Sequence, residues 1–325
     1  MSNYTLRGSE ELDARIDADL EVITRTVAPH CDAGILLGGY GRGEGTPFIL
    51  PDGTQAPFND YDLVVILDTV NPTVRIQCKA LEKELTQQLG ITVDLCPYAR
   101  DALPSCEFSL LNYEMKYGHI ALWGDEHILK ALPNYSPNAI PPFEGTRLLM
   151  NRGKLLLDIK RRLAQNQPLS ASERICFIKF IAKVHLAFGD AALLIAGQYH
   201  ILYQIKKQRI ARIGPTPDRD YVMASYLSAI ELKEWGDYQA RAHENIGLQL
   251  AKTIEVFRRF LPWYQMQYKR RECSIPKALV LNLKWNKCIN THHPREAIYH
   301  ALGDLLHDQS SMSHERFYQL QRRFS

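Results

Sequence analysis

The sequence predicts an α+β protein in which an N-terminal domain, built on a mixed β-sheet with flanking helices, precedes an all-helical C-terminal domain. In the first part of the chain, short β-branched apolar runs alternate with segments of helical spacing, which is typical of an α+β unit. From Thr146 onward the apolar residues recur with helical spacing alone. The proline-rich stretch NYSPNAIPPFEG at 134–145 marks the boundary, because prolines interrupt both helices and strand ladders. The predicted domains are residues 1–135 and 146–325.

The elements of the N-terminal domain follow from two periodicities, one of helices and one of strands. Apolar residues spaced from Leu12 to Ile23 predict a first amphipathic helix over 9–28, with Ser9 as its N-cap. Pro-Asp-Gly between apolar residues at 46–58 predicts a hairpin-like turn. The other elements, in chain order, are strands at 34–37 and 63–67, a helix at 73–89 ending at Gly90, a strand at 91–98, a helix near 105–117 and a strand at 118–125.

The helical half contains two basic features with two interpretations each. Its helices are expected to break near Pro168, Gly214 to Pro217, Pro262 and Pro276. Lys179 and Lys183 share a helix face, so they either meet an anionic ligand across an interdomain cleft or form a solvated face. The run VFRRFLPWYQMQYKRRE at 256–272 either contacts RNA or is a basic outer face over buried aromatic rings.

Composition excludes several classes of protein. The net charge of the 325 residues is +3, which gives no case for a polyanionic partner of the whole protein. Seven scattered cysteines, none spaced as CxxC, predict reduced thiols in a cytoplasmic protein. No run approaches eighteen apolar residues, so we expect no membrane association. The sequence does not predict an oligomeric state.

Three acids carry the candidate chemistry. In NDYDLVVIL, the alternation of a strand predicts that Asp60 and Asp62 project from one face, where they can hold one or two Mg²⁺ ions, with Mn²⁺ as a substitute. Asp94 lies among apolar residues in the strand ITVDLCPY. On a neighbouring strand it would lie beside the pair, where it could accept a proton from an attacking hydroxyl or help to hold a second ion.

The run GGYGRGEG at 38–45 supplies the complementary half of the site. Gly38 and Gly39 follow a strand and precede a short helix that begins near Tyr40, so their backbone N–H groups can approach phosphate oxygens without obstruction. Arg42 is placed either to meet a phosphate or to pair with Glu44 or another local acid. A triphosphate could therefore bridge the glycine turn and the metal-binding acids.

The run ILLGGYGRGEG followed by NDYDLVVIL resembles the nucleotidyltransferase fold of the DNA polymerase beta superfamily over about residues 34 to 125. Gly39 stands where many members have serine. The resemblance implies that Gly38 and Gly39 contact the nucleotide phosphates, that Asp60 and Asp62 bind Mg²⁺, and that Asp94 completes the acidic triad. The resemblance implies that Tyr40 and Arg42 belong to the same nucleotide-binding turn. The anionic ligand that Lys179 and Lys183 could meet would then be the nucleotide phosphates.

These observations predict a Mg²⁺-dependent nucleotidyltransferase that moves a nucleoside monophosphate, AMP from ATP in the first instance, to a hydroxyl of an acceptor and releases pyrophosphate. The helical half is expected to close over the cleft and select the acceptor, for which a small molecule is favoured. One alternative is a toxin-like transferase acting on tRNA or on a protein. Another is a noncatalytic module that binds nucleotides.

Overall fold

The computed structural model describes residues 2–268, 274–285, 289–306 and 314–324. It confirms the predicted α+β class, with a small mixed sheet in the N-terminal part and helices in the C-terminal part. The helices are α1 (Glu10–Val27), α2 (Gly38–Gly41), α3 (Pro72–Leu89), α4 (Leu110–Tyr117), α5 (Phe143–Leu163), α6 (Ala171–Ile195), α7 (Tyr203–Arg209), α8 (Arg219–Trp235), α9 (Ile246–Met266), α10 (Ile275–Trp285), α11 (Pro294–Leu306) and α12 (His314–Phe324). The strands are β1 (Ala33–Leu36), β2 (Pro47–Ile49), β3 (Gln55–Pro57), β4 (Tyr61–Leu67), β5 (Val93–Ala99) and β6 (Ile120–Trp123).

The chain divides into two compact units whose membership is not continuous in sequence. The first unit comprises Met1–Pro141 together with Tyr199–Gln208 and Ile230–Gln239, and the second comprises the remaining segments. The first break, at Pro141, falls inside the proline-rich stretch at 134–145. Two later segments thus belong with the sheet, although their local sequence is helical.

Four strands form the sheet of the first unit, in the order β5-β4-β1-β6. β1 pairs antiparallel with β4 and β6, whereas β4 and β5 are parallel, so the sheet is mixed. The helix α3 joins the two parallel strands, as a crossover between parallel strands requires. The predicted turn at Pro-Asp-Gly forms a separate two-stranded hairpin of β2 and β3.

Helix caps explain where α1 and α3 begin and end. The Ser9 side chain accepts a hydrogen bond from the N–H of Leu12 at the start of α1. Asn71 accepts one from Val74 at the start of α3, and Gly90 ends that helix in the left-handed conformation with φ of 71°. Both helices contribute apolar residues, such as Ile16 and Leu85, to the core they form with the sheet.

The second unit consists of helices in its described residues. α5 packs against α6, α9 and α11. The predicted break at Pro262 is wrong, because α9 continues through it to Met266. A proline inside a helix costs about 3 kcal/mol. Burial of the neighbouring Phe260, Leu261 and Tyr264 side chains offsets that cost and keeps the helix intact.

The basic run at 256–272 is described as far as Tyr268, and its Lys269, Arg270 and Arg271 lie outside the described residues. Within α9 the rings of Phe257 and Phe260 are buried in the core, so they present no platform for stacking bases. Arg259 makes two hydrogen bonds of 2.7 and 2.8 Å to the Asp218 carboxylate. This part of the run has the arrangement of a basic outer face over buried aromatic rings.

Two further sequence predictions concern thiols and membranes. The five cysteines at described positions are free thiols, and Cys273 and Cys288 lie outside the described residues. Among the described helices, none combines the length and apolar character needed to cross a bilayer.

Candidate functional site

Two of the three predicted acids lie side by side on the sheet. In the parallel pairing of β4 and β5, Asp62 is directly opposite Asp94. Alternation along each strand sends Leu63 and Leu95 into the core, whereas Asp62 and Asp94 are exposed on the opposite face. Neighbouring strands are about 4.8 Å apart, so the two carboxylates occupy adjacent positions.

A cavity of about 200 Å³ opens in front of these carboxylates, within the first unit. Its wall combines acidic, basic and apolar groups with bare backbone. The lining residues that matter for the chemistry are Gly38, Arg42, Asp62, Asp94, Cys96 and Glu114. The cavity therefore has the mixed lining of a site for a charged ligand.

Asp60 occupies a different position from its two partners. It precedes β4 and is partly buried, and the described cavity wall does not include it. Its charge instead acts on Tyr40. Burial raises the pKa of the Tyr40 hydroxyl to about 12, and the negative charges of Asp60 and Asp19 make smaller contributions in the same direction. Within the described ranges, no three His, Cys, Asp or Glu side chains form a cluster that could hold a metal ion. The pair that the structure brings together is Asp62 and Asp94.

The glycine turn is pressed against Asp62. The N–H of Leu37 donates a hydrogen bond of 2.8 Å to the Asp62 carbonyl. Gly38 has φ of 66°, and a Cβ atom at this position would lie 2.3 Å from Asp62 Oδ2. Only glycine combines this backbone conformation with so close an approach to the carboxylate. The turn thus leaves bare backbone next to one of the two acids.

The buried side chain of Tyr40 anchors the glycine turn. Its side chain is 1% exposed, and its hydroxyl accepts hydrogen bonds of 2.9 and 3.2 Å from the N–H groups of Phe58 and Asn59. The ring also contacts that of Tyr61 at the start of β4. Tyr40 therefore links the glycine turn to the segment that leads into the acidic strand.

Arg42 pairs with an acid from a distant part of the chain. Its Nη1 lies 3.2 Å from Glu114 Oε2 on α4, and its side chain is 9% exposed. Burial lowers the pKa of Arg42, but nearby groups raise it above its ordinary value. The largest of these upward effects comes from Glu114, and smaller ones come from Tyr203, Tyr199 and Glu44. Arg42 therefore stays a cation in the wall of the cavity, and its Nε is buried without a hydrogen-bond partner.

Glu44, the other acid of the glycine run, has a structural task. Its buried carboxylate accepts hydrogen bonds of 3.0 and 3.3 Å from the N–H groups of Tyr203 and Gln204, the first residues of α7. A carboxylate at a helix start satisfies otherwise unpaired N–H groups. Glu44 thereby joins one of the later segments to the first unit.

Lys233, on α8, lies beside the glycine turn, although sequence reasoning did not select it. Its Nζ donates hydrogen bonds to the backbone carbonyl of Glu44 and, at 3.4 Å, to Thr46 Oγ1. A Cβ atom on Gly39 would be 3.1 Å from the same Nζ. No local motif identifies this lysine, because it is almost two hundred residues away from the turn in sequence.

Lys179 and Lys183 lie on α6 and belong to the second unit, whereas the acids and the glycine turn belong to the first unit. Both are partly buried, and both act on the thiol of Cys176, whose pKa is raised by burial and lowered to a lesser extent by the two lysines. Their separation of four residues along this continuous helix places them on one face. Their contact with a nucleotide stays a prediction.

His185, two residues beyond Lys183, belongs to a polar cluster in the second unit. Its Nε2 lies 3.0 Å from the Tyr221 hydroxyl and 3.1 Å from Thr253 Oγ1. Burial, with a smaller effect of Arg241, lowers the pKa of His185 from 6.5 to about 4. The imidazole is thus held in its neutral form by its surroundings.

A stability measurement tests this assignment. The unfolded chain binds a proton at His185 below pH 6.5, whereas the folded chain does so only below about pH 4, so stability should fall as the pH falls through this window. The expected loss from this group is about 3 kcal/mol. Urea unfolding from pH 7 to pH 4 should show a shallower pH dependence for His185→Gln than for wild type. His30→Gln, at an exposed position, should behave as wild type, and equal slopes for all three proteins would refute the assignment.

Comparison with known proteins adds little to this geometry. No protein-family profile matches the chain, and no curated protein matches it. A solved structure of a spectinomycin adenyltransferase from Enterococcus faecialis, determined with ATP and spectinomycin, is similar over 75% of this chain and 98% of its own, at 11% identity and a TM-score of 0.45. A likeness of this size carries no argument about the activity of this chain.

Proposed function

We propose that this protein is a Mg²⁺-dependent nucleotidyltransferase that moves AMP from ATP, or another nucleoside monophosphate from its triphosphate, to a hydroxyl group of a small acceptor. The observation that carries the proposal is the juxtaposition of Asp62 and Asp94 with the bare backbone at Gly38 in one cavity that also contains the cation Arg42. Carboxylates for a metal, free backbone and a cation are the groups that phosphoryl chemistry requires.

The donor set fits Mg²⁺. This ion is usually bound through one or two carboxylates, and phosphate oxygens of the substrate complete its coordination. Asp62 and Asp94 supply two carboxylates on adjacent positions of one sheet face, and the contact of Asp62 with Gly38 places them beside the turn. Asp60, which the sequence predicts as a further ligand, precedes the strand and lies outside the described wall of this cavity, so the proposed ligands are Asp62 and Asp94. When bound, Mg²⁺ would neutralise developing charge on the phosphates.

Each residue of the proposed site then has its own role in the reaction. The turn at Gly38 and Gly39 would receive the triphosphate through backbone N–H groups, and Arg42 and Lys233 would balance its negative charge. Asp94 would accept the proton of the attacking hydroxyl. That oxygen forms a bond to the α-phosphorus as the bond from the α-phosphorus to the pyrophosphate oxygen breaks, so pyrophosphate leaves and the acceptor gains a nucleoside monophosphate.

A labelling experiment tests the proposal. The protein is incubated with each α-phosphate-labelled NTP, Mg²⁺ and a lysate separated into metabolite, RNA and protein fractions. We expect labelled product in the metabolite fraction with release of pyrophosphate. Label in the RNA or protein fraction would replace the small acceptor by a macromolecule. Binding of an NTP with no transfer in any fraction would identify a noncatalytic module and refute the proposed activity.

Lys233 gives a second, independent prediction. Lys233→Met removes the ammonium group beside Gly39 and keeps most of the side-chain volume. Because hydrogen bonds to charged groups contribute about 1.5–3 kcal/mol, the KM for the nucleotide should rise by roughly tenfold to a hundredfold. The matched control is Lys207→Met, which removes a lysine of the same unit that pairs with Glu234 at 3.8 Å. An unchanged KM in Lys233→Met would remove this lysine from the proposed site.

A further inference from the structure

The side chain of Arg42 is enclosed by groups that are far from it in sequence. Its aliphatic stem runs over Gly118 at the end of α4, where a Cβ atom would be 2.7 Å from Arg42 Cγ and 2.9 Å from Cδ. Gly118 has φ of −141°, outside the left-handed region that favours glycine, and a Cβ atom there would collide with the arginine stem. The stem of Arg42 is therefore confined on one side by bare backbone.

The guanidinium end is held by a carboxylate that is itself held. Glu114 Oε2 accepts from Arg42 Nη1, and Glu114 Oε1 accepts a short hydrogen bond from the hydroxyl of Tyr199. Tyr199 is 1% exposed, and the ammonium of Lys206 lies 4.2 Å from the centre of its ring. All of these residues belong to the first unit, so the groups that enclose Arg42 come from the same unit as Arg42 itself.

The orientation that results leaves a buried donor of Arg42 without an acceptor in the protein. Arg42 is more than nine-tenths buried and lines the cavity of Asp62 and Asp94, and its Nε has no hydrogen-bond partner in the protein. Buried donors are nearly always satisfied in folded proteins. A phosphate oxygen bound in the cavity would provide the missing acceptor, and a guanidinium held along one edge is suited to bind an anion along the other.

We propose that Glu114 and Tyr199 are positioning residues that orient Arg42 toward the phosphates of the bound nucleoside triphosphate, an inference that rests on the proposed function. Glu114 does not serve as the proton acceptor, because its two oxygens are occupied by a cation and by a hydroxyl donor. Tyr199 carries no charge, so it contributes through the direction it imposes on the Glu114 carboxylate.

The test compares two tyrosine-to-phenylalanine variants. Tyr199→Phe removes the hydroxyl that holds Glu114 and leaves every charge in the cavity in place. Tyr226→Phe is the matched control, since it removes a buried hydroxyl that donates at 2.7 Å to the carboxylate of Asp190 in the second unit. Both variants should lose stability to a similar extent. Only Tyr199→Phe should bind nucleotide more weakly, by about tenfold in Kd.

Direct binding of ATP, GTP, CTP and UTP in the presence of Mg²⁺ is measured by calorimetry, which separates this inference from the proposed function. Absence of binding of all four nucleotides to wild type would overturn the proposed function together with the inference. Nucleotide binding by wild type and equal affinity in Tyr199→Phe would overturn the positioning role and leave the proposed function standing.

A double variant tests whether Tyr199 acts through Arg42, and Gly118→Ala keeps the test decisive if Tyr199→Phe does not fold. In an Arg42→Met background, Tyr199→Phe should cause no additional loss of nucleotide affinity, because the cation that Glu114 orients is already absent. Additive losses would contradict the inference. Gly118→Ala should displace the arginine stem and weaken nucleotide binding, and wild-type affinity in that variant would also contradict it.

Discussion

Replacing Asp62 by asparagine is expected to lower the rate of nucleotidyl transfer by about a hundredfold to a thousandfold, while the protein remains folded. The side chain is exposed on the cavity face of β4, so the amide replaces it without a cavity or a clash in the core. The change removes the negative charge of Asp62, which lies directly across from Asp94 in the pairing of β4 with β5. Loss of that charge weakens the binding of Mg²⁺ and of the phosphates it would carry.

The measurement is transfer of label from an α-labelled NTP, with unfolding in urea as the check on folding. Asp68→Asn is the matched control, because Asp68 follows the end of the same strand, its side chain is 86% exposed, and it is 3.9 Å from Arg100. This control should retain full activity. Wild-type transfer by Asp62→Asn would show that the acidic pair is not the metal-binding centre.

Replacing Gly38 by alanine is expected to disrupt both stability and activity. Its φ of 66° places it in the left-handed region, where a side chain costs about 1–2 kcal/mol. The added Cβ would also lie 2.3 Å from Asp62 Oδ2, so either the turn or the carboxylate must move. Because proposed catalytic geometry depends on that contact, we expect transfer to fall by about a hundredfold or more.

Gly90→Ala separates the two effects. Gly90 has φ of 71°, and a Cβ atom there would meet nothing within 4 Å. This variant therefore incurs the backbone cost alone and should lose about 1–2 kcal/mol of stability with unchanged activity. Urea unfolding and transfer rates measured on both variants decide the matter. If Gly38→Ala transfers label as well as Gly90→Ala, the close contact with Asp62 is irrelevant to function.

Much of the sheet could be predicted because its signals are local. Alternation placed Leu63 in the core and Asp62 on the other face, and the same rule applied to Leu95 and Asp94 in β5. The cap at Ser9 and the left-handed Gly90 also follow from residue types within one helical turn of each helix end. The signals for these strands and caps lie in residues that are neighbours in sequence, so the sequence alone predicts them.

The break predicted at Pro262 shows where local reasoning fails. Proline opposes helix continuation locally, yet α9 passes through it, because the side chains around it are buried against other helices of the unit. The size of that burial depends on partners from distant parts of the chain. No window of sequence around Pro262 contains the information.

Sequence by itself determined the α+β class, the two strands that present Asp62 and Asp94, and the glycine turn before them. Tertiary structure alone decided that Arg42 pairs with Glu114 and not with Glu44, that Tyr199 completes this contact, and that Lys233 lies beside Gly39. The physical reason is separation along the chain. Periodicity and capping act over a few residues, whereas these contacts join groups at least 72 residues apart, which only the folded backbone brings together.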